Sequence, residues 1–146
     1  ADKGQRAANE WRWWTRSKQP MLCPLTSFPI NLLPYPPFKL RADPAKPSPH
    51  RLVDGKYLAM QLIVDDGAVA LGRPLHPSDV SALDEYIHRC KLGPFRPGRI
   101  SALRTQVELA SEGQRGQAVQ ELSHFREAAR MEMARIRRIQ ESRLLG

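Results

Sequence analysis

Nine of the chain's thirteen prolines fall between Trp11 and Arg51, at positions 20, 24, 29, 34, 36, 37, 44, 47 and 49. Proline has no backbone N–H to donate, fixes φ, and pushes the residue before it out of the helical region. A stretch punctuated this often can be neither a helix nor a central strand. Residues 1–51 are therefore expected to form an extended arm, stiffest at Pro34-Tyr35-Pro36-Pro37-Phe38, with a turn or two of helix before Pro20.

The composition of this arm is not that of a solvated linker. Trp11, Trp13 and Trp14 open it, and Phe28, Ile30, Leu32, Leu33, Tyr35 and Phe38 follow. That much apolar surface is not left in water. The arm needs a surface to lie on, and Phe28, Ile30, Leu32, Leu33, Tyr35 and Phe38 are candidates for contact with neighbouring proteins. A disordered proline-rich ligand of an SH3 or WW domain is the plainer reading, but such tails carry fewer large apolar side chains.

Charge follows the same division. The formal net charge is +8 over 146 residues, which points to a polyanionic partner or an anionic surface. Up to Arg51 nine Lys or Arg meet three acids, whereas from Leu52 onward fourteen meet twelve. The arm carries the excess. Arg12, Arg16 and Lys18 stand among the tryptophans, with Lys39, Arg41, Lys46 and Arg51 farther along. Guanidinium and ammonium groups neutralise phosphates while tryptophan offers a plane on which unpaired bases stack. The competing view is that the tryptophans cap the protein's own core, since tryptophan is mostly buried somewhere.

From residue 52 the pattern becomes that of a small α+β core, residues 52–116, followed by a long arginine-rich helix, residues 117–146. Asp54-Gly55 and Asp66-Gly67 bracket an alternating run, Lys56 to Val64, with Leu58, Met60, Leu62 and Val64 on one face. Asp-Gly beside β-branched or aromatic residues is a hairpin signal, so the expectation is an antiparallel β meander centred on 56–64, with flanks at 51–53 and 68–71. A short buried helix over 57–64 is the competing reading. His76-Pro77-Ser78-Asp79 starts a helix whose stripe is Val80, Leu83, Ile87 and Cys90, ended by Gly93-Pro94. A second helix is expected over 99–111, and a third over 117–143 with the stripe Ala118, Leu122, Phe125, Ala129, Met133 and Ile136. At about 1.5 Å per residue the third reaches roughly 40 Å, longer than such a core needs, so its end is expected to project. Arg130 and Arg135 have glutamates three residues before them; Arg137, Arg138 and Arg143 lack such cover and are candidates for phosphate contact.

Chemistry-bearing motifs are lacking. Cys23, Cys90, His50, His76, His88 and His124 have no metal-ligand spacing, and Cys90 on an apolar stripe reads as a small core residue. Asp65-Asp66 is explained by turn chemistry and Asp84-Glu85 by a solvated helix face. With no nucleophile elbow, phosphate loop or dinucleotide fingerprint, the expectation is a protein that is not an enzyme and takes no metal, cofactor or small-molecule substrate. Two cysteines fit a reducing compartment, and no run approaches the roughly 20 apolar residues of a membrane span.

The arm at Trp11 to Arg51 and the arginine-rich end resemble, at the level of class, the accessory proteins of mitochondrial ribosomes. The resemblance implies a structural subunit in the mitochondrial matrix, binding ribosomal RNA and neighbouring subunits. A start at Ala1 agrees with removal of a presequence. The rival readings are an accessory subunit of a respiratory or ATP synthase complex and an adaptor with a proline-rich tail. A sequence-specific DNA binder fits least, because the most basic stretch is not helical.

Overall fold

The computed structural model describes residues 12–16, 21–41, 50–64, 69–70, 73–94, 96–109 and 111–145. They are mostly helical, with two two-stranded antiparallel sheets. Strand β1 (Phe38–Arg41) pairs with β2 (His50–Val53), Phe38 opposite Val53 and Arg41 opposite His50. Helix α1 (Gly55–Val64) follows at once. The two-residue strands β3 (Val69–Ala70) and β4 (Arg73–Pro74) pair with each other, and helices α2 (Pro77–Arg89), α3 (Pro97–Leu109) and α4 (Glu112–Leu145) complete the chain.

The meander expected around 56–64 is corrected: these residues are helical, and 50–53 pair with 38–41 instead. The reason is local. Asp54 is a turn former but also a good N-cap, and here its Oδ1 accepts from the Tyr57 amide at 3.1 Å while its carbonyl accepts from Leu58 at 3.0 Å. Alternation gave the wrong period because α1 is buried nearly all round. Leu58, Ala59 and Leu62 pack with the sheet, α2 and the proline-rich segment, while Tyr57, Met60 and Ile63 pack with α3 and α4. A helix apolar on every side has no polar face from which to read a 3.6-residue period.

Helix α2 begins with Pro77 at the first position, one of the two starts its sequence offers; the cap is His76 rather than Ser78, its Nδ1 accepting from the Ser78 amide. It ends at Arg89, and Lys91 takes the left-handed turn with φ 54° ahead of Gly93. The amides of Lys91 and Leu92 bond back to the carbonyls of His88 and Ile87, which closes the end. The stripe expected on the last helix is where it should be. Ala118, Leu122, Ala129 and Ile136 are buried, with Phe125 and Met133 partly so. The helix starts at Glu112 rather than 117, and Gly113 and Gly116 sit exposed in its first turns, with open space where a Cβ would stand. A helical glycine costs about 1 kcal/mol against alanine, which weakens a helix without ending it.

Nor does the end of α4 project. The next position on its stripe, Gln140, is buried and donates to Asp54 Oδ2 at 3.2 Å, and Arg143 donates to the Leu32 carbonyl at 2.8 Å. The partner it meets is the proline-rich segment. Cys23 and Phe28 close a small loop through their backbone at 2.9 Å, Ile30 bonds back to Met21, and Trp14 donates its Nε1 to the Leu33 carbonyl at 2.9 Å. Phe28, Ile30, Leu33 and Phe38 are buried in this chain's own core, so their assignment to a contact with neighbouring proteins is corrected. Leu32 is exposed, and Tyr35 is half-buried with its hydroxyl donating to Asp54 Oδ1 at 2.8 Å. The expectations for residues 1–11, 17–20, 42–49 and 65–68 lie outside the described residues. Cys23 is buried and Cys90 half-buried; both are free thiols.

Asp54 therefore joins the proline-rich segment, α1 and α4 through three donors. Burial pushes its pKa up, opposed by the hydrogen bonds from Tyr35, Tyr57 and Gln140 and by the charge of Lys56. Asp54→Ala is expected to destabilise the fold by about 2–4 kcal/mol in chemical denaturation, since buried donors lose their acceptor. A raised native pKa means that the native state holds its proton longer than the unfolded chain does. Stability from this group is then greatest below about pH 4, the unfolded value, and declines as pH rises through the native one. Asp54→Asn should remove that decline, read as the difference between the two stability curves. Gly55→Ala should cost about 2 kcal/mol or more in the same assay, because its Cβ would lie 2.3 Å from Tyr86 Cε1 and 2.8 Å from Phe38 Cβ.

Candidate nucleic-acid interface

Two groups of cations stand clear of the fold's own ion pairs, each built on aromatic rings at the edge of the core. The first lies between residues 36–39 and α2. Pro36 and Pro37 hold the chain extended into β1, and the Tyr86 hydroxyl donates to the Pro36 carbonyl. Phe38 and Tyr86 meet edge to face, centroids 5.4 Å apart, over the space left by Gly55. Strand alternation then turns Lys39 outward between buried Phe38 and Leu40. From α2, Ala82, Glu85, Tyr86 and Arg89 present one helical face, at spacings of three, one and three.

Trp13 closes the far side. Its neighbour Trp14 is 2% exposed and pinned through Leu33, while Trp13 stands edge to face against it at 6.2 Å and is 43% exposed. Lys39 Nζ lies 5.3 Å from the Trp13 ring centroid. The result is a groove of about 570 Å³ lined by Trp13, Lys39, Glu85 and Arg89 over a floor of proline and aromatic carbon. Neither Lys39 nor Arg89 is in an ion pair with a described carboxylate. Cys90 borders the groove as a thiol: burial raises its pKa, against the charge and hydrogen bond of Arg89. It is not set up as a nucleophile.

The second group is the end of α4. Arg130 pairs with Glu127 at 3.5 Å, and Arg135 and Lys56 both reach Glu132, which holds the Glu132 carboxyl below its ordinary range, mainly through the Arg135 hydrogen bond. Those cations are neutralised. Arg137, Arg138 and Arg143 are not: among the described residues none has a carboxylate in ion-pair range. Arg137 lies 5.5 Å from the Tyr57 ring centroid and Arg143 5.9 Å from that of Phe28. Their place in the last turns also suits the helix dipole.

The structure brings together some of the expected residues and divides others. Trp13 and Lys39 share the first group with Arg89, and Arg12 and Arg16 are exposed beside Trp13. Arg89 was missed in the sequence, where it falls on the charged face of a helix next to the Cys90 stripe position and carries no signal of the groove it lines. Arg41 is committed elsewhere, its Nε donating to buried Asp79 at 2.9 Å and its guanidinium also reaching Ser78, so its reading as a phosphate contact is corrected. Trp14 is likewise withdrawn from any base by its burial. Arg51 is exposed on β2. Trp11, Lys18 and Lys46 lie outside the described residues.

Among the described residues no group of three His, Cys, Asp or Glu could hold a metal ion, and His88 Nδ1 is taken up by Arg96 at 2.9 Å. None of the described helices is long and apolar enough to cross a membrane. Comparison with protein-family models, with curated proteins and with solved structures finds no match, so the reading of these two cationic groups rests on their chemistry alone.

Proposed function

We propose that the chain is a non-catalytic structural subunit of a large ribonucleoprotein particle, binding RNA through Lys39 and Arg89 on one side and Arg137, Arg138 and Arg143 on the other. The observation that carries this reading is that cations with no carboxylate partner among the described residues are held against aromatic rings: Lys39 on exposed Trp13, and Arg137 and Arg143 on Tyr57 and Phe28 of the core. An exposed arginine on a helix is ordinarily a solvated group whose side-chain freedom would be lost on binding a phosphate. A guanidinium already lying on a ring has lost much of that freedom in folding.

The finer form of the proposal is a mitochondrial ribosome in the matrix, with ribosomal RNA as the polyanion. The net charge of +8 and the arginine-rich helix end support an RNA partner in general. Exposed Leu32, Ile139 and Leu144 at the same end as Arg143 suit contact with neighbouring subunits.

Two measurements test this. In a sucrose gradient of lysed cells carrying a tagged copy, the chain should travel with a large particle and fall out of it after ribonuclease. Migration with a membrane complex, indifferent to ribonuclease, would sink the proposal in favour of a respiratory or ATP synthase accessory subunit. In vitro, Arg138→Gln should leave the melting temperature unchanged and lower RNA affinity several-fold, reducing the slope of log affinity against log salt by about 0.7–0.9 if one phosphate contact is lost.

A further inference from the structure

Resting on the RNA-binding reading above, we infer that the groove between residues 36–39 and α2 seats one unpaired nucleotide of single-stranded RNA, its base against Trp13 and its phosphates on Lys39 and Arg89. The volume of about 570 Å³ lies in the range of small-ligand sites, roughly 300–1,000 Å³. Its floor is preformed. Pro36 and Pro37 have fixed φ, Tyr86 is tied to the Pro36 carbonyl, and Phe38 rests on Tyr86.

The charges around the groove set the direction of the ligand. Among the described residues, Lys39 and Arg89 stand on its rim without carboxylate partners and Glu85 is the one acid lining it. A phosphate is drawn to the two cations and repelled by Glu85, so the base's hydrogen-bond donors, rather than the backbone, face that carboxylate. Trp13 supplies the stacking plane and is held in place through Trp14, whose Nε1 is bonded to the Leu33 carbonyl. Lys39 now covers Trp13, and an arriving base replaces it there while the ammonium moves to the phosphate. The exchange is favourable because a surface cation over a ring is worth less than a stacked base. A paired base cannot enter, since its faces are already covered in the duplex.

The test is fluorescence anisotropy of the full chain with a labelled single-stranded RNA of about ten nucleotides and with a duplex of the same sequence, at several salt concentrations. Trp13→Ala is expected to weaken single-strand binding about tenfold and duplex binding by less than about twofold, with Trp13→Phe retaining most of the affinity. Arg89→Gln should lower the single-strand salt slope by about 0.7. Trp13 and Arg89 are exposed, so these variants are expected to keep the circular dichroism and melting temperature of the parent. If Trp13→Ala and Arg89→Gln bind the single strand as the parent does while Arg138→Gln still binds it weakly, the groove assignment is overturned and the RNA reading stands. Absence of any RNA affinity in the parent at low salt overturns both. A photocrosslinker in place of Trp13 that marks protein and not RNA in the intact particle overturns the groove assignment in favour of a peptide.

Discussion

A single buried carboxylate sits where the chain's three parts meet. Asp54 lies wholly inside the protein at the junction of β2 and α1, and its oxygens accept from Tyr35, from the Tyr57 amide and from Gln140. The residues are 19, 3 and 86 positions away in sequence. Among the described residues it has no ion-pair partner, so its hydrogen bonds come from neutral donors, with the charge of Lys56 acting from farther off. Such a group is costly to bury unless each lone pair is met, and each donor is costly to bury without it. That mutual requirement fixes the relative placement of the proline-rich segment, the central helix and the end of α4 more narrowly than apolar packing, which tolerates sliding. Cys23 adds to it, its Sγ accepting from the Asp54 amide at 3.2 Å.

With that joint set, α1 becomes the partition between two apolar clusters. One side meets Trp14, Phe28, Leu33 and Val53, the other Leu103, Leu122 and Ile136. The first cluster is completed largely by residues 21–41, a stretch held before β1 only by a bridge between Leu22 and Pro29, the turn it closes, and a short 3-10 helix at Ile30–Leu32. Ordering irregular backbone costs about 1–2 kcal/mol per residue. The five prolines at 24, 29, 34, 36 and 37 offset part of this by restricting the unfolded chain, at about 0.4–1 kcal/mol each where φ suits them. The prolines that exclude helix from this segment thus also help it to order against the core.

What could be read in advance was whatever had one polar and one apolar side. The stripe of α4 and the start of α2 were legible because their outer faces are charged and their periods visible. Helix α1 was not, since Asp54-Gly55 serves a hairpin and a helix start alike and the ten residues after Asp54 are mostly buried on both sides. Gln140 fell on the α4 stripe four residues after Ile136, but a polar residue there carries no sign of the buried acceptor that makes it fit. Placing Phe28, Ile30, Leu33 and Phe38 on a foreign surface followed from treating an irregular segment as one with no core of its own. Of the candidate cations, Arg137, Arg138 and Arg143 were legible because no glutamate stands three residues before them, and Lys39 through the excess of base over acid up to Arg51. Arg41 was misread because Asp79 lies 38 residues away, beyond any local rule.

Two of the rings that receive these cations, Tyr57 and Phe28, are also core residues, and this couples binding to folding. Tyr57 and Phe28 are buried within the two clusters, and Arg137 and Arg143 lie over their rings. Trp13 is positioned by Trp14 in the same way. A ring so placed cannot move far without moving the core, which is packed to crystal-like density and deforms little. The positive groups at the end of α4 are therefore held on the frame that Asp54 locks through Gln140, one turn before Arg143. Loosening that joint would blur the spacing of the arginines before it unfolded the protein, because Gln140 and Arg143 leave the proline-rich segment together while the α4 stripe from Ala118 to Ile136 keeps its own packing.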